Sequence, residues 1–289
     1  MSLSNDLLDV KHGLETRIDP FIGYSWFPES DNLYLSHLHE IFYSFLFYTI
    51  CYNVFAPKIN KIVFGKYYTD LPEKKDKRDY DIHTVSMIQS AVSYAMLPFS
   101  LFVSKDLNVA IYYDHLCTMV SSLALGYFIW DITACVGHYD ISGSAFIIHA
   151  IVSSYIAGVT LIPLFQPWIG AFLAFEASTP FVNVHWYVSQ ISAFAKRHGQ
   201  KSPIPSWIGT ANGLFLMLVF FAVRIVWGIS ATTKLYSQIY LARDLVPKIP
   251  TAIFLCVHIT LNFLNIYWFS KMLAVAKGVL FGNKKDKQA

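Results

Sequence analysis

The sequence predicts an all-α polytopic membrane protein with about seven transmembrane helices. Three observations carry this. The chain is 55% hydrophobic and only 14% charged, against about 25% charged in an average soluble domain. Its apolar residues fall in runs of about 20, the length of helix that crosses a bilayer. Nothing alternates with the period of two that a membrane β-barrel strand requires, so helices are left as the way to satisfy backbone polar groups in lipid.

The elements follow in order. Residues 1–34 are mixed in polarity, with Leu3, Leu7, Val10 and Leu14 at helical spacing. That pattern predicts a short amphipathic helix on the lumenal face of the bilayer. Residues 35–275 form the membrane region, with spans near 35–57, 84–104, 116–137, 143–162, 165–187, 207–230 and 249–272. The third to fifth spans are joined by very short turns, so they are antiparallel neighbours. Pro180 lies inside the fifth and should kink it, because proline lacks an N–H and its ring clashes with the preceding turn. Residues 276–289 form a basic tail.

The loops orient the chain. The side that holds the N-terminus carries six basic residues and the other side fifteen, with Arg224 left inside a span. The positive-inside rule makes the second side cytosolic. Lys285 and Lys287 near the C-terminus then read as a dilysine signal for an endoplasmic-reticulum retrieval coat, an address rather than an anchor. The expected location is the endoplasmic reticulum membrane, with a lumenal N-terminus and a cytosolic C-terminus.

Several functions are excluded by pattern. Nucleic-acid binding wants a clustered basic surface on a soluble fold. No H-E-x-x-H, G-x-S-x-G, Walker or Rossmann glycine pattern occurs. No metal site and no cofactor are expected. Cys51, Cys117, Cys135 and Cys256 are isolated within apolar runs, which predicts buried packing.

The informative residues are the polar ones at membrane depth, where an ionisable group costs about 2.5–3.5 kcal/mol even on lenient scales. At about 1.5 Å per residue, Asp131 and His149 each lie roughly 9 Å from the cytosolic ends of their helices and Asn265 roughly 10 Å. Glu176 falls near the midplane, Asn183 and His185 near the cytosolic surface, and Arg224 toward the lumenal side. Glu176, Thr179 and Asn183 share one helix face by spacing. So do His258, Asn262 and Asn265, then Tyr127 and Asp131, then His149 and Ser153. Four polar stripes at similar depth predict a central site open toward the cytosol. The alternative for any one of these residues is structural, because polar side chains in membrane helices commonly tie neighbours together at about 0.6 kcal/mol each.

Four motifs in order, GYFIWD, FIIHAIVS, FEASTPFVNVHWY and LNFLNIYWFSKM, resemble the TLC-domain family. The resemblance covers about residues 35–275 and looks most like the small fungal TLC-domain proteins of the endoplasmic reticulum. It implies a six-helix barrel around a lipid cavity, with the first helix and the N-terminal segment as additions. Arg224 and Trp268 complete the candidate cavity set. The family's ceramide synthases carry adjacent histidines with downstream aspartates. Here His149 keeps the first position, but Ala150 fills the second, nothing acidic occurs between residues 151 and 175, and His185 stands where the family has an arginine. The chain is therefore not a typical ceramide synthase. The favoured expectation is binding of a membrane lipid or fatty acyl group in an intramembrane cavity, in the service of lipid homeostasis. The alternative is an acyltransferase or transacylase. His149 would be acyl acceptor or base, oriented by Asp131 or Asn265, and acyl-CoA a possible substrate drawn in by Lys196, Arg197 and Lys201.

Overall fold

The computed structural model describes residues 17–281; the expected amphipathic helix and the C-terminal lysines lie outside them. The described residues contain helices and no strand. Helix α1 spans residues 38–64 as Leu38–Ile50, a π turn at Cys51–Phe55, and Ala56–Phe64. Next come α2 (Lys74–Ser100), α3 (His115–Gly137) and α4 (Tyr139–Leu161). The broken helix α5 spans residues 166–197, α6 is Ser206–Leu241 and α7 is Lys248–Phe281.

Four of these, α3, α4, α6 and α7, are long and apolar enough to cross a membrane. The other three expected spans are present as helices but differ in kind. The π turn divides α1. Helix α2 opens on the charged run Lys74–Asp81. Helix α5 is four pieces: 3₁₀ Gln166–Trp168, α Ile169–Leu173, 3₁₀ Ala174–Ser178 and α Thr179–Arg197.

Pro180 explains the central break of α5. A regular α-helix would bond the residue-180 N–H to the Glu176 carbonyl, and proline has none. That carbonyl instead takes the Thr179 N–H, which tightens the backbone into 3₁₀ geometry and releases the Phe175 carbonyl from its α-helical donor.

Neighbour contacts close a ring of six helices in the order α2, α3, α4, α7, α6, α5, with α1 packed outside against α2 and α3. At one end of the ring, Phe165, Trp168, Leu235 and Phe254 form a core in which each is less than 2% exposed. At the other, Tyr68, Tyr80, Tyr187 and Phe194 pack into an aromatic cluster. Cys51, Cys117 and Cys135 are buried as expected, but Cys256 is exposed, because it lies on α7 away from the inward face that carries Phe254, His258 and Leu261.

Two glycines set the closest helix approaches. A Cβ on Gly126 of α3 would sit 2.4 Å from the Ile41 carbonyl oxygen of α1, and one on Gly170 of α5 would sit 2.4 Å from the Leu101 nitrogen after α2. No side chain can be accommodated at such distances without moving a backbone. Gly137, by contrast, has nothing within 4 Å of that position. Gly126→Leu and Gly170→Leu should each lower stability by about 1–3 kcal/mol or more through overpacking, while Gly137→Ala should leave it nearly unchanged. Thermal unfolding of the three variants in one detergent would check this.

Candidate functional site

The interior of the ring holds one cluster with its charge deeply buried. Arg224 lies at the centre of α6, within a π turn at Phe221–Val226, and is 7% exposed. Its Nε donates to the Phe175 carbonyl at 3.2 Å and to Ser178 Oγ at 3.0 Å, both on the 3₁₀ stretch of α5. One terminal nitrogen donates to Asn265 Oδ1 of α7 at 3.3 Å. The other lies 3.9 Å from the Glu176 carboxylate, whose second oxygen accepts from Thr179 Oγ1 at 2.8 Å. Three helices thus converge on one guanidinium. Its fixed fork of five N–H donors suits it to bridging several acceptors at once.

A cavity of about 40 Å³ opens beside this cluster. His149, Ser153, Glu176 and Arg224 are its polar lining, and Phe128, Phe172, Phe175 and Leu261 supply much of the rest. His149 projects from α4 between two aromatic rings, Phe128 at 6.3 Å and Trp268 at 5.5 Å, both edge-on. Its Nδ1 is buried, and so is Asn265 Nδ2; neither has a hydrogen-bond partner among the described residues. Buried polar atoms are nearly always paired. Two orphans beside an arginine with spare donors mark hydrogen-bonding capacity that the described protein groups do not use.

The expected depths of two residues change. Asn265 and Arg224, placed from apolar runs toward opposite ends, are in direct contact. The reason is helix length: α7 runs on to Phe281 and α6 from Ser206 to Leu241, so both residues are near mid-helix.

The other polar residues separate into distinct groups. Asp131 is outside the cavity lining, and its nearest polar partner is the Cys135 thiol at 3.6 Å. Tyr127 packs against Tyr48 of α1 at 4.9 Å. Asn183 turns to α2, with Oδ1 2.7 Å from His83 Nδ1 and Nδ2 donating to Ser86 Oγ at 3.1 Å. His185 lies against Gly213 of α6, its Nδ1 without a partner among the described residues. His258 and Asn262 tie α7 to α6, through Tyr236 OH at 3.1 Å and Thr232 Oγ1 at 3.3 Å. Ser178 and the Phe175 carbonyl belong to the cluster without having been foreseen. A 3₁₀ step ahead of Pro180 was the available signal for both.

The TLC domain matches residues 79–274. The chain belongs to the TLC-domain family. It is 46% identical over 89% of its length, and 91% of the relative's, to Topoisomerase I damage affected protein 4 of Saccharomyces cerevisiae. It is 29% identical to an uncharacterized TLC domain-containing protein of Schizosaccharomyces pombe, over 86% of this chain and 82% of the other. A TLC domain-containing protein of Dictyostelium discoideum shares 28% identity over 83% and 85%. No solved structure matches the chain. The TLC match begins within α2, leaving α1 outside it, and its 79–274 range includes the helices that close the six-membered ring.

Removing Arg224 alone strands Glu176 and three acceptors in the ring. Arg224→Met should therefore destabilise the protein by about 3–5 kcal/mol, the usual cost of leaving one buried partner uncompensated. The double variant Arg224→Met with Glu176→Gln should recover part of that loss. Unfolding midpoints of the wild type, both variants and Glu176→Gln alone give the comparison; a double-variant loss equal to the sum of the two single losses would show that the pair is uncoupled.

Proposed function

We propose that this TLC-domain membrane protein binds the polar end of a lipid acyl group in the cavity beside His149, Glu176 and Arg224, and that it serves membrane lipid homeostasis. One observation carries the reading: unused hydrogen-bonding capacity on Arg224, His149 and Asn265 faces or adjoins an otherwise apolar cavity at mid-helix depth. A carbonyl, ester or carboxylate oxygen at the end of an alkyl chain supplies the missing acceptors and matches the apolar walls. Binding pockets for whole small molecules run to about 300–1,000 Å³. The 40 Å³ here suits the head of a single chain rather than a complete two-chain lipid. The proposed location is the endoplasmic reticulum membrane, with a cytosolic C-terminus supported by the split of basic residues between the two sides.

Acyl transfer is the second reading, favoured by the unpaired Nδ1 of His149. A histidine can act as acyl acceptor or base when a partner fixes its tautomer. Neither Asp131 nor Asn265 is that partner here, so substrate itself would have to orient the ring.

Mass spectrometry of lipids extracted from purified protein separates these outcomes. The wild type should carry a stoichiometric acyl lipid, and Arg224→Gln should retain at least tenfold less of it. A lipid-free wild type would overturn the binding reading. Incubation with labelled acyl-CoA and candidate acceptors tests transfer: activity abolished in His149→Ala supports it, and equal product from that variant removes His149 from the chemistry.

A further inference from the structure

A second polar cluster lies far from the cavity, where the segment before α1 folds back on the start of that helix. Asp19, His37 and Glu40 are each at most 2% exposed. His37 is the residue on which α1 begins, and Glu40 lies in its first turn. Their i, i+3 spacing puts both side chains on one face. Asp19 arrives from 18 residues upstream, its carboxylate fixed by the Phe21 N–H at 2.7 Å.

We infer that Asp19, His37 and Glu40 form a binding site for a divalent first-row metal ion such as Zn²⁺ or Mn²⁺. The first support is geometry. The donor atoms of the three residues all lie within 4.8 Å of one another. His37 Nδ1 is 3.0 Å from Glu40 Oε2, a hydrogen bond that an ion would replace, and 3.5 Å from Asp19 Oδ2. Ligands about 2.0–2.1 Å from a tetrahedral zinc are separated by about 3.3 Å, so these spacings are those of donors around an ion.

The second support is hydrogen bonding. Asp19 Oδ2 and Glu40 Oε1 are buried with no hydrogen-bond partner among the described residues. Asp19 Oδ2 faces His37 and Glu40 Oε1 faces His39, and buried carboxylate oxygens left without a partner are costly.

The third is charge. The cation nearest in sequence, Arg17, is engaged by Asp114 at 2.7 Å. A divalent ion balances the two carboxylates. One imidazole and two carboxylates form a nitrogen–oxygen donor set that suits zinc or manganese rather than a soft-metal centre. His39 stands behind the site, held by the Phe21 carbonyl at 2.9 Å with its Nε2 4.0 Å from Glu40 Oε1. That is where outer groups orient metal-binding carboxylates.

The competing occupant is a proton. Burial, with Glu40 adjacent, raises the Asp19 carboxyl to about 7, so a proton on Asp19 is the alternative to an ion. The cluster lies outside the residue range of the TLC match and is independent of the lipid reading. A bound ion would staple the N-terminal segment to α1, closing the loop between Asp19 and His37.

The test uses the full chain in detergent. Protein purified without chelator is analysed for metals by mass spectrometry. It is then stripped with EDTA and titrated with ZnCl₂ or MnCl₂, following metal content and the thermal midpoint. The expected result is about one ion per chain and a midpoint raised by several degrees on re-addition, as for any ligand that binds only the folded state. Asp19→Asn and Glu40→Gln should each weaken binding at least tenfold, and a folded variant is recognised by an unchanged elution profile. Absence of metal from the wild type, together with no shift on titration, would overturn the site and leave the proton on Asp19. Undiminished binding by both variants would overturn it equally, by placing the ion elsewhere.

Discussion

The burial of Arg224 is the constraint around which the ring is assembled. A guanidinium at the middle of a 36-residue apolar helix has no water to fall back on, and its donors must be met by the protein. They are met by backbone irregularity on two facing helices. The π turn of α6 places the side chain, and the 3₁₀ step of α5 frees a main-chain carbonyl to receive it. Such departures from α geometry are frequent at functional sites, and here two of them meet on the same contact. Asn265 brings in α7, so three of the six ring helices are tied at one point. The acyl-binding reading rests on what this arrangement leaves over: donors held in place by the fold but only partly used by it.

The architecture was largely readable from composition and run length, because lipid leaves the backbone few choices. The positions of the long helices, the irregularity near Pro180 and the hairpin of α3 and α4 all follow from local rules. What was not readable is where a stripe points. Asn183, spaced to share a face with Glu176, turns instead to His83, because the 3₁₀ step resets the helical phase between them. His258 and Asn262 satisfy each other's neighbours on α6 and stay out of the cavity lining, the bland alternative that polar residues in membrane helices always carry. Arg224 was placed by depth toward one end of its helix instead of at the centre, because apolar run length understates α6. The cluster of Asp19, His37 and Glu40 escaped for another reason. His37-Leu38-His39-Glu40 stands at the edge of the first span, and its third member is remote in sequence, so only folding brings the acids together.

The two polar clusters differ in character. The one in the ring couples helices that lie apart in the chain and borders an apolar cavity. The one at the start of α1 couples a terminal segment to the helix that follows it, outside the ring and outside the TLC match. Arg17, bound to Asp114 at the start of α3, fastens the same segment a second time. Both attachments lie at the end of the bundle where the large aromatic and aliphatic core around Trp168 is found, so that end is closed by side-chain packing and covered by an ordered strap.

The connection between α3 and the straight part of α4 is short: His138, whose Nε2 lies 2.8 Å from the Tyr52 hydroxyl of α1, a single turn at residues 139–142, and Gly143, whose positive φ of 68° breaks the helix there. So short a joint leaves no length of chain to wait on one side of the bilayer while a first helix settles. A joint this short favours entry of the two helices into the membrane as one hairpin. Asp131 and His149, seven and eleven residues from His138, make the crossing together. Insertion of this pair thus commits polar side chains to lipid before α5, α6 and α7 exist to shield them.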